Sequence, residues 1–116
     1  MDASQLIADV FALSTSIRYV AVRNEDRINL QARANLRAAS SSDSDWYEET
    51  LVNPTLLMLT TQRGNIDCGG LRYVIVGYGN FTQLVMPTGG TGHISVAFEL
   101  GADPLQHVEA IARLAS

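Results

Sequence analysis

The tightest constraint on this chain lies between Leu71 and Glu99, in "LRYVIVGYGNFTQLVMPTGGTGHISVAFE". Two segments rich in β-branched and aromatic residues, 71–78 and 81–87, are separated only by Gly79-Asn80. A two-residue loop with glycine first joins antiparallel neighbours and nothing else. "TGGTG" (88–92) then reverses the chain into another strand, 93–99. The strand at 71–78 carries Leu71, Tyr73 and Ile75 on one face and Val74, Val76 and Tyr78 on the other. A strand that is apolar on both faces is expected to be covered on both faces.

The first half supplies the rest of a sheet. "RYVAVR" (18–23) and "RINLQAR" (27–33) flank the polar "NED", and the second alternates Ile28, Leu30 and Ala32 with Asn29 and Gln31. That pattern predicts a hairpin. Helical spacing of Leu6, Ile7, Val10, Phe11 and Leu13 predicts a helix over 3–14. A middle helix follows the Ser/Asp-rich segment 40–45 and is expected to stop at Gly64, a favourable C-cap. "GADPLQ" predicts a last helix with Asp103 as N-cap, Pro104 first and Gln106 third. Leu105, Val108, Ile111, Ala112 and Ala115 would form its apolar stripe. The order α-β-β-α-β-β-β-α describes an α+β domain spanning residues 1–116. Its sheet would be five-stranded and mainly antiparallel, with the middle helix on one face and the terminal helices on the other.

Composition bounds the function. Charged residues make up 17% and hydrophobic residues 47%, which suits a folded domain. A net charge of −4, with basic residues scattered singly, argues against nucleic acid and against an anionic membrane surface. All eight basic residues are arginine, which removes Schiff-base chemistry and the phosphate-binding lysine of a P-loop. One cysteine forms no internal disulfide, and the first residues lack the basic start of a signal peptide. A cytoplasmic location is expected.

Residues able to carry chemistry are few. Cys68, His93 and an aspartate could form a nucleophilic set, but Cys68 in "DCGG" suits a small residue entering a strand. His93 and His107 have no metal-ligating neighbours at useful spacing, so neither a metal nor a cofactor is expected. The glycine clusters "GYGN" and "GGTG" lie between strands, where turns explain them better than phosphate binding. "NFT" at Asn80 matches a glycosylation acceptor, a pattern common by chance.

The acidic segment before the middle helix is better explained as a cap. Asp45 followed three residues later by Glu48 fits reciprocal capping, and negative charge suits the first turn. Ser40–Ser44 would then be a loop. On a regular helix Leu51, Val52, Thr55, Leu56, Met58 and Leu59 share one broad arc, expected to pack on the sheet. Trp46 and Leu57 fall together on a different arc, beside Thr50 and Thr61, where they would form a partner surface. Pro54 either kinks this helix or begins it.

The element order and the tail "GNFTQLVMPTGGTGHISVAFELGADPLQHVEAI" resemble the bacterial type of the Roadblock family of dynein light-chain-like domains. The resemblance spans nearly the whole chain and is best between Leu71 and Leu114. Pro54 and the glycine-free "NED" turn depart from it. It implies a non-catalytic homodimer. Third strands, here Leu71–Tyr78, would pair edge to edge, and middle helices, here around Trp46–Arg63, would lie side by side. It also implies regulation or scaffolding of a small Ras-like GTPase or another signalling protein. The dimer interface would then comprise Trp46, Thr50, Leu57, Thr61, Leu71, Tyr73 and Ile75.

Two other functions fit a chain of this kind. A small-ligand sensor of PAS or GAF type would place a pocket around Met58, Tyr73 and Met86. An enzyme would bring Cys68 and His93 within hydrogen-bond reach of each other.

Overall fold

The computed structural model describes residues 2–34, 36 and 41–116. Helix α1 (Ala3–Phe11) begins at Asp2, whose carboxylate accepts the Ser4 amide, and turns Leu6, Ile7 and Val10 inward. Strands β1 (Ile17–Asn24) and β2 (Arg27–Ala32) form the expected hairpin. Glu25 takes the left-handed conformation at φ 57° where the resemblance would place glycine. Strands β3 (Val74–Gly77), β4 (Phe81–Gly89) and β5 (Gly92–Glu99) complete the sheet. The Gly79-Asn80 reversal is closed by the Tyr78 amide donating to the Phe81 carbonyl at 2.9 Å. The strand order is β2-β1-β5-β4-β3 and every pair is antiparallel. The α+β architecture is therefore the expected one.

Strand alternation divides the interior into two layers. On one face Val20, Val22, Leu84, Met86, Ile94, Val96 and Phe98 pack with α1 and with Ile111 of α4 (Val108–Ala115). The other face lies beneath the middle helical run, whose buried residues are Glu49, Asn53, Leu57 and Gly64. That run has three parts: α2 (Ser42–Tyr47), a π-helical turn (Glu48–Val52) and α3 (Asn53–Asp67).

The π turn accommodates Pro54, which lies in the first turn of α3 within a continuous helical run. Proline lacks an N–H, and in a regular α-helix its ring collides with the carbonyl four residues earlier, here Thr50. Widening the preceding turn relieves the collision, and the Asn53 amide donates to the Glu48 carbonyl five residues back. The inserted residue also advances the helix faces by about 100° across the turn. Trp46 and Leu57 therefore do not share an arc: Trp46 is 56% exposed and Leu57 8%.

Other boundaries also moved. The helix starts at Ser41, whose hydroxyl accepts the Ser44 amide at 3.1 Å, so Asp45 and Glu48 lie inside it and do not cap it. Of the expected serine loop, Ser42–Ser44 are helical, and Ser40 lies outside the described residues. Gly64 does not end the helix. A Cβ there would lie 2.7 Å from the Gly70 carbonyl oxygen, and the chain turns away through Gly69 and Gly70 at φ 78° and 95°. Strand β3 is shorter than expected because Leu71 and Tyr73 precede its paired residues. Asp103 does cap, accepting the Leu105 amide at 3.0 Å. The first turn after it, Pro104–His107, is 3₁₀, which leaves Leu105 exposed and outside the apolar stripe; Ala112 is exposed as well.

Candidate functional site: a polar layer and an apolar helix surface

Beneath the middle helix the sheet presents Tyr19 from β1, Gln83 from β4, and His93 and Ser95 from β5. The π turn lowers Glu49 into this layer, where it is fully buried. Its Oε2 accepts from the Tyr19 hydroxyl at 2.8 Å and from the Ser95 hydroxyl at 2.7 Å. Oε1 meets His93 Nε2 at 2.7 Å and accepts from Asn53 Nδ2 at 3.0 Å. Four groups converge on one carboxyl, which fills the acceptor capacity of its two oxygens. Burial pushes the Tyr19 phenol well above its ordinary value, and the Glu49 charge adds to the effect. With Glu49 and Ser95 fully buried and His93 1% exposed, the cluster is a sealed anchor between helix and sheet.

Next to the anchor a cavity of about 520 Å³ opens between α2, the π turn and the sheet. Tyr19, Tyr47, Tyr78 and Phe81 line it, with Arg18, Asp45, Glu48 and Gln83. The Arg18 guanidinium lies 5.7 Å from the Phe81 ring centre and pairs with Glu99 at 3.0 Å. Glu99 also pairs with Arg33 at 2.9 Å. The Tyr78 hydroxyl donates to both Glu48 oxygens, at 3.1 and 3.0 Å. Burial raises the Glu48 carboxyl above its ordinary value despite that hydrogen bond, and the neighbouring Glu49 and Asp45 charges raise it further. The Tyr78 phenol is pushed up to about 12, by burial first and Glu48 second.

The outward side of the middle helix is apolar. Leu51, Met58, Leu59 and Ile66 are 53%, 54%, 57% and 75% exposed. With Thr55 and Gln62, also exposed, they recur at the spacing of a helix-packing seam. The sequence reading had this arc against the sheet. The reversal follows from the sheet surface, which presents Tyr19, Gln83, His93 and Ser95 on this side and meets Glu49, Asn53, Leu57 and Gly64 of the helical run.

The residues expected at a dimer interface are thus divided. Trp46 is exposed on α2, and Thr50 donates to the Trp46 carbonyl at 2.7 Å. Leu57 and Thr61 line a second cavity of about 410 Å³ with Pro54 and His93, on the sheet side of α3. Leu71 is half-buried ahead of β3. Tyr73 and Ile75 pack on the opposite, apolar face with α1 and α4. The pocket expected around Met58, Tyr73 and Met86 is not assembled: Met58 is exposed, while Tyr73 and Met86 belong to that apolar face. Cys68 and His93 are not brought together either. Cys68 Sγ meets Arg63 and Asp67 at 3.3 Å each, whereas His93 binds Glu49. His107 stacks on Phe98, centroids 5.4 Å apart. Among the described residues no group of three or more His, Cys, Asp or Glu could hold a metal ion. No described helix is long and apolar enough to cross a membrane.

The sequence reading missed the anchor itself, although signals for it existed. In "HISVAFE" the residues alternating with Ile94 and Val96 are His93 and Ser95, a polar inner face on a strand buried on both sides. Glu49 and Asn53 stand four apart, one helical turn.

No protein-family model and no curated protein matches the sequence. Solved structures do match its fold. The Roadblock/LC7 domain from Streptomyces avermitilis superposes with a TM-score of 0.75 at 16% identity, covering 99% of this chain and 92% of that one. The chain has the Roadblock/LC7 fold. MglB in a tetrameric arrangement matches with a TM-score of 0.68 at 14% identity, over 97% of this chain and 87% of that one. The gliding protein MglB of Thermus thermophilus gives 0.64 at 12% identity, with the same coverage of each chain. Within the Roadblock/LC7 fold of this chain, the exposed helix strip and the polar anchor lie on opposite sides of the same helical run.

Proposed function

We propose that this chain is a non-catalytic, homodimeric interaction module that regulates or scaffolds a small Ras-like GTPase or a comparable signalling protein. The observation that carries the reading is the strip Leu51–Met58–Leu59–Ile66, which leaves four large apolar side chains in water on one helix face. Such a contiguous surface is costly to expose and is typical of a helix awaiting a partner. The spacing suits a second copy of the same helix laid alongside. Strand β3 supports the same geometry: it pairs with β4 on one side only, and Val74, Ile75 and Val76 lie along its open edge. Short unpaired edge strands accept a further strand by backbone hydrogen bonding. Trp46 extends the exposed apolar surface on α2, while Leu57, buried under α3, is no longer part of the proposed interface. Likeness to MglB, a gliding protein that also occurs in a tetrameric arrangement, supports self-assembly and a role in a motility system.

Light scattering tests the dimer. The wild-type chain is expected at twice its monomer mass at micromolar concentration, and Met58→Glu/Leu59→Glu at the monomer mass with unchanged circular dichroism. A monomeric wild type, or an intact dimer in the double variant, defeats the reading. Calorimetric titration with a Ras-like GTPase, loaded with GDP or with a GTP analogue, tests the partner. Nucleotide-dependent binding is the expected result.

A further inference from the structure

The geometry points to the cavity between α3 and the β4–β5 turn as a binding site for a small monocarboxylate with a branched apolar chain. Its volume of about 410 Å³ falls in the range that holds a small organic ligand. Its chemistry is set by Arg23, which lines the cavity and is half-buried near the end of β1. Arg23 and Pro87 stand opposite His93 on the two strands that flank β5. Opposed residues project to one face of a sheet, and His93 turns its ring to Glu49 of the middle helical run. The Arg23 side chain therefore stands on the sheet face beneath that run, where the cavity lies. Its Nε–H donates to the Glu25 carbonyl at 3.0 Å, which orients the guanidinium. Its two terminal nitrogens have no partner among the described residues, and no described carboxylate pairs with it.

The surroundings favour one negative charge and no more. None of the described residues that line the cavity is acidic. Glu49 lies behind His93, and four groups already hold its oxygens. Glu25 and Asp26 follow Arg23 in the β1–β2 turn, where both are exposed. A single guanidinium matches a single carboxylate, whose two oxygens fit the planar fork with parallel N–H···O bonds. Thr61, Gln62 and Thr91 add neutral donors to the wall. Pro54, Leu57, Met58 and Pro87 make the remainder hydrocarbon, which suits a branched aliphatic chain and penalises a second charge. All of this lining comes from one chain. Met58 also belongs to the exposed strip, so a second copy laid on that strip would border the site.

An isotope-labelled NMR titration with 4-methylvalerate tests the site. Saturable shifts are expected at the Arg23 Nε–H and at the backbone amides of Thr61, Thr91 and Gly92. The neutral isostere 4-methylvaleramide and inorganic phosphate should each bind at least about tenfold more weakly, the first for want of charge and the second for want of an apolar chain. Arg23→Gln should lower the affinity for 4-methylvalerate by about tenfold or more. The titration is repeated on Leu59→Glu/Ile66→Glu, which alters the strip and leaves the lining intact. Binding to that variant is expected whatever the oligomeric state of the wild type, so the site and the dimer are scored separately. Absence of saturable shifts in both chains overturns the assignment. So does an equal affinity for the acid and its amide, phosphate binding as tight as that of 4-methylvalerate, or unchanged binding in Arg23→Gln. Because the ligand comparisons need no change at Arg23, they decide the matter even if Arg23→Gln does not fold.

Discussion

On one face of the sheet, Val20, Leu84, Ile94, Val96 and Phe98 meet α1 and α4 entirely through hydrocarbon. On the other face, Tyr19, His93 and Ser95 meet Glu49 and Asn53 through hydrogen bonds of 2.7–3.0 Å. The first contact is strong but non-directional, and its side chains can be exchanged for others of similar volume. The second is directional: a rotation or slide of the helix would leave several buried polar groups unpaired at once. The terminal helices are held by area, whereas the middle helix is indexed to one position. A helix whose outer face is to meet a partner gains from being indexed, because the partner surface is then fixed as well.

Truncation should damage both faces heavily. Glu49→Ala removes the acceptor of four buried groups and is expected to cost about 3–5 kcal/mol. Leu84→Ala on the apolar face should cost about 2–5 kcal/mol through its cavity. Shape-conserving changes separate the two. Glu49→Gln keeps the volume but exchanges an acceptor for a donor, at about 1–3 kcal/mol, while Leu84→Met should cost less than about 1.5 kcal/mol. Urea midpoints at constant slope measure both. A neutral Glu49→Gln would erase the distinction between the faces.

Ser95→Ala probes a single spoke of the anchor. Glu49 Oε2 retains the Tyr19 hydroxyl, so the expected loss is only about 1 kcal/mol. A loss as large as that of Glu49→Ala would mean that Ser95, and not the carboxylate, organises the layer.

The same contrast explains what the sequence disclosed. The apolar face was legible because the physics there is the physics of periodicity: Leu6, Ile7, Val10, Val96 and Ile111 sit where spacing places them. The Gly79-Asn80 turn and the Asp103 cap were legible from local stereochemistry. On the other face periodicity misled. It sent the most apolar arc of the middle helix inward, but Leu51, Thr55, Met58 and Leu59 of that arc face outward, and Glu49 and Asn53 take the places above the polar part of the sheet. The π turn before Pro54 compounded the error by shifting Trp46 and Leu57 onto different arcs. A buried carboxylate with four partners drawn from three elements leaves no periodic trace, since its stability depends on residues up to 46 positions apart.

The smallest effect concerns the rim of the polar layer, where Glu48 and Tyr78 tie the π turn to the end of β3. Burial raises the Glu48 carboxyl above its ordinary 4.5, so the folded chain binds a proton more tightly there than the unfolded chain does. Stability from this group is therefore complete below pH 4.5 and is lost as the pH rises through the folded value. Glu48→Gln removes the titration while keeping an acceptor for Tyr78. The variant should match wild type in acid and exceed it slightly at neutral pH, by less than the change at Ser95. The Tyr78 phenol follows the same sign higher up: its contribution is complete below pH 10.0 and is lost towards about 12, a loss that Tyr78→Phe should abolish. Thermal midpoints across the pH range read both. A Glu48→Gln chain that is less stable than wild type at neutral pH would show that the carboxylate's bond to Tyr78 outweighs its burial, making this rim as directional as the anchor beside it.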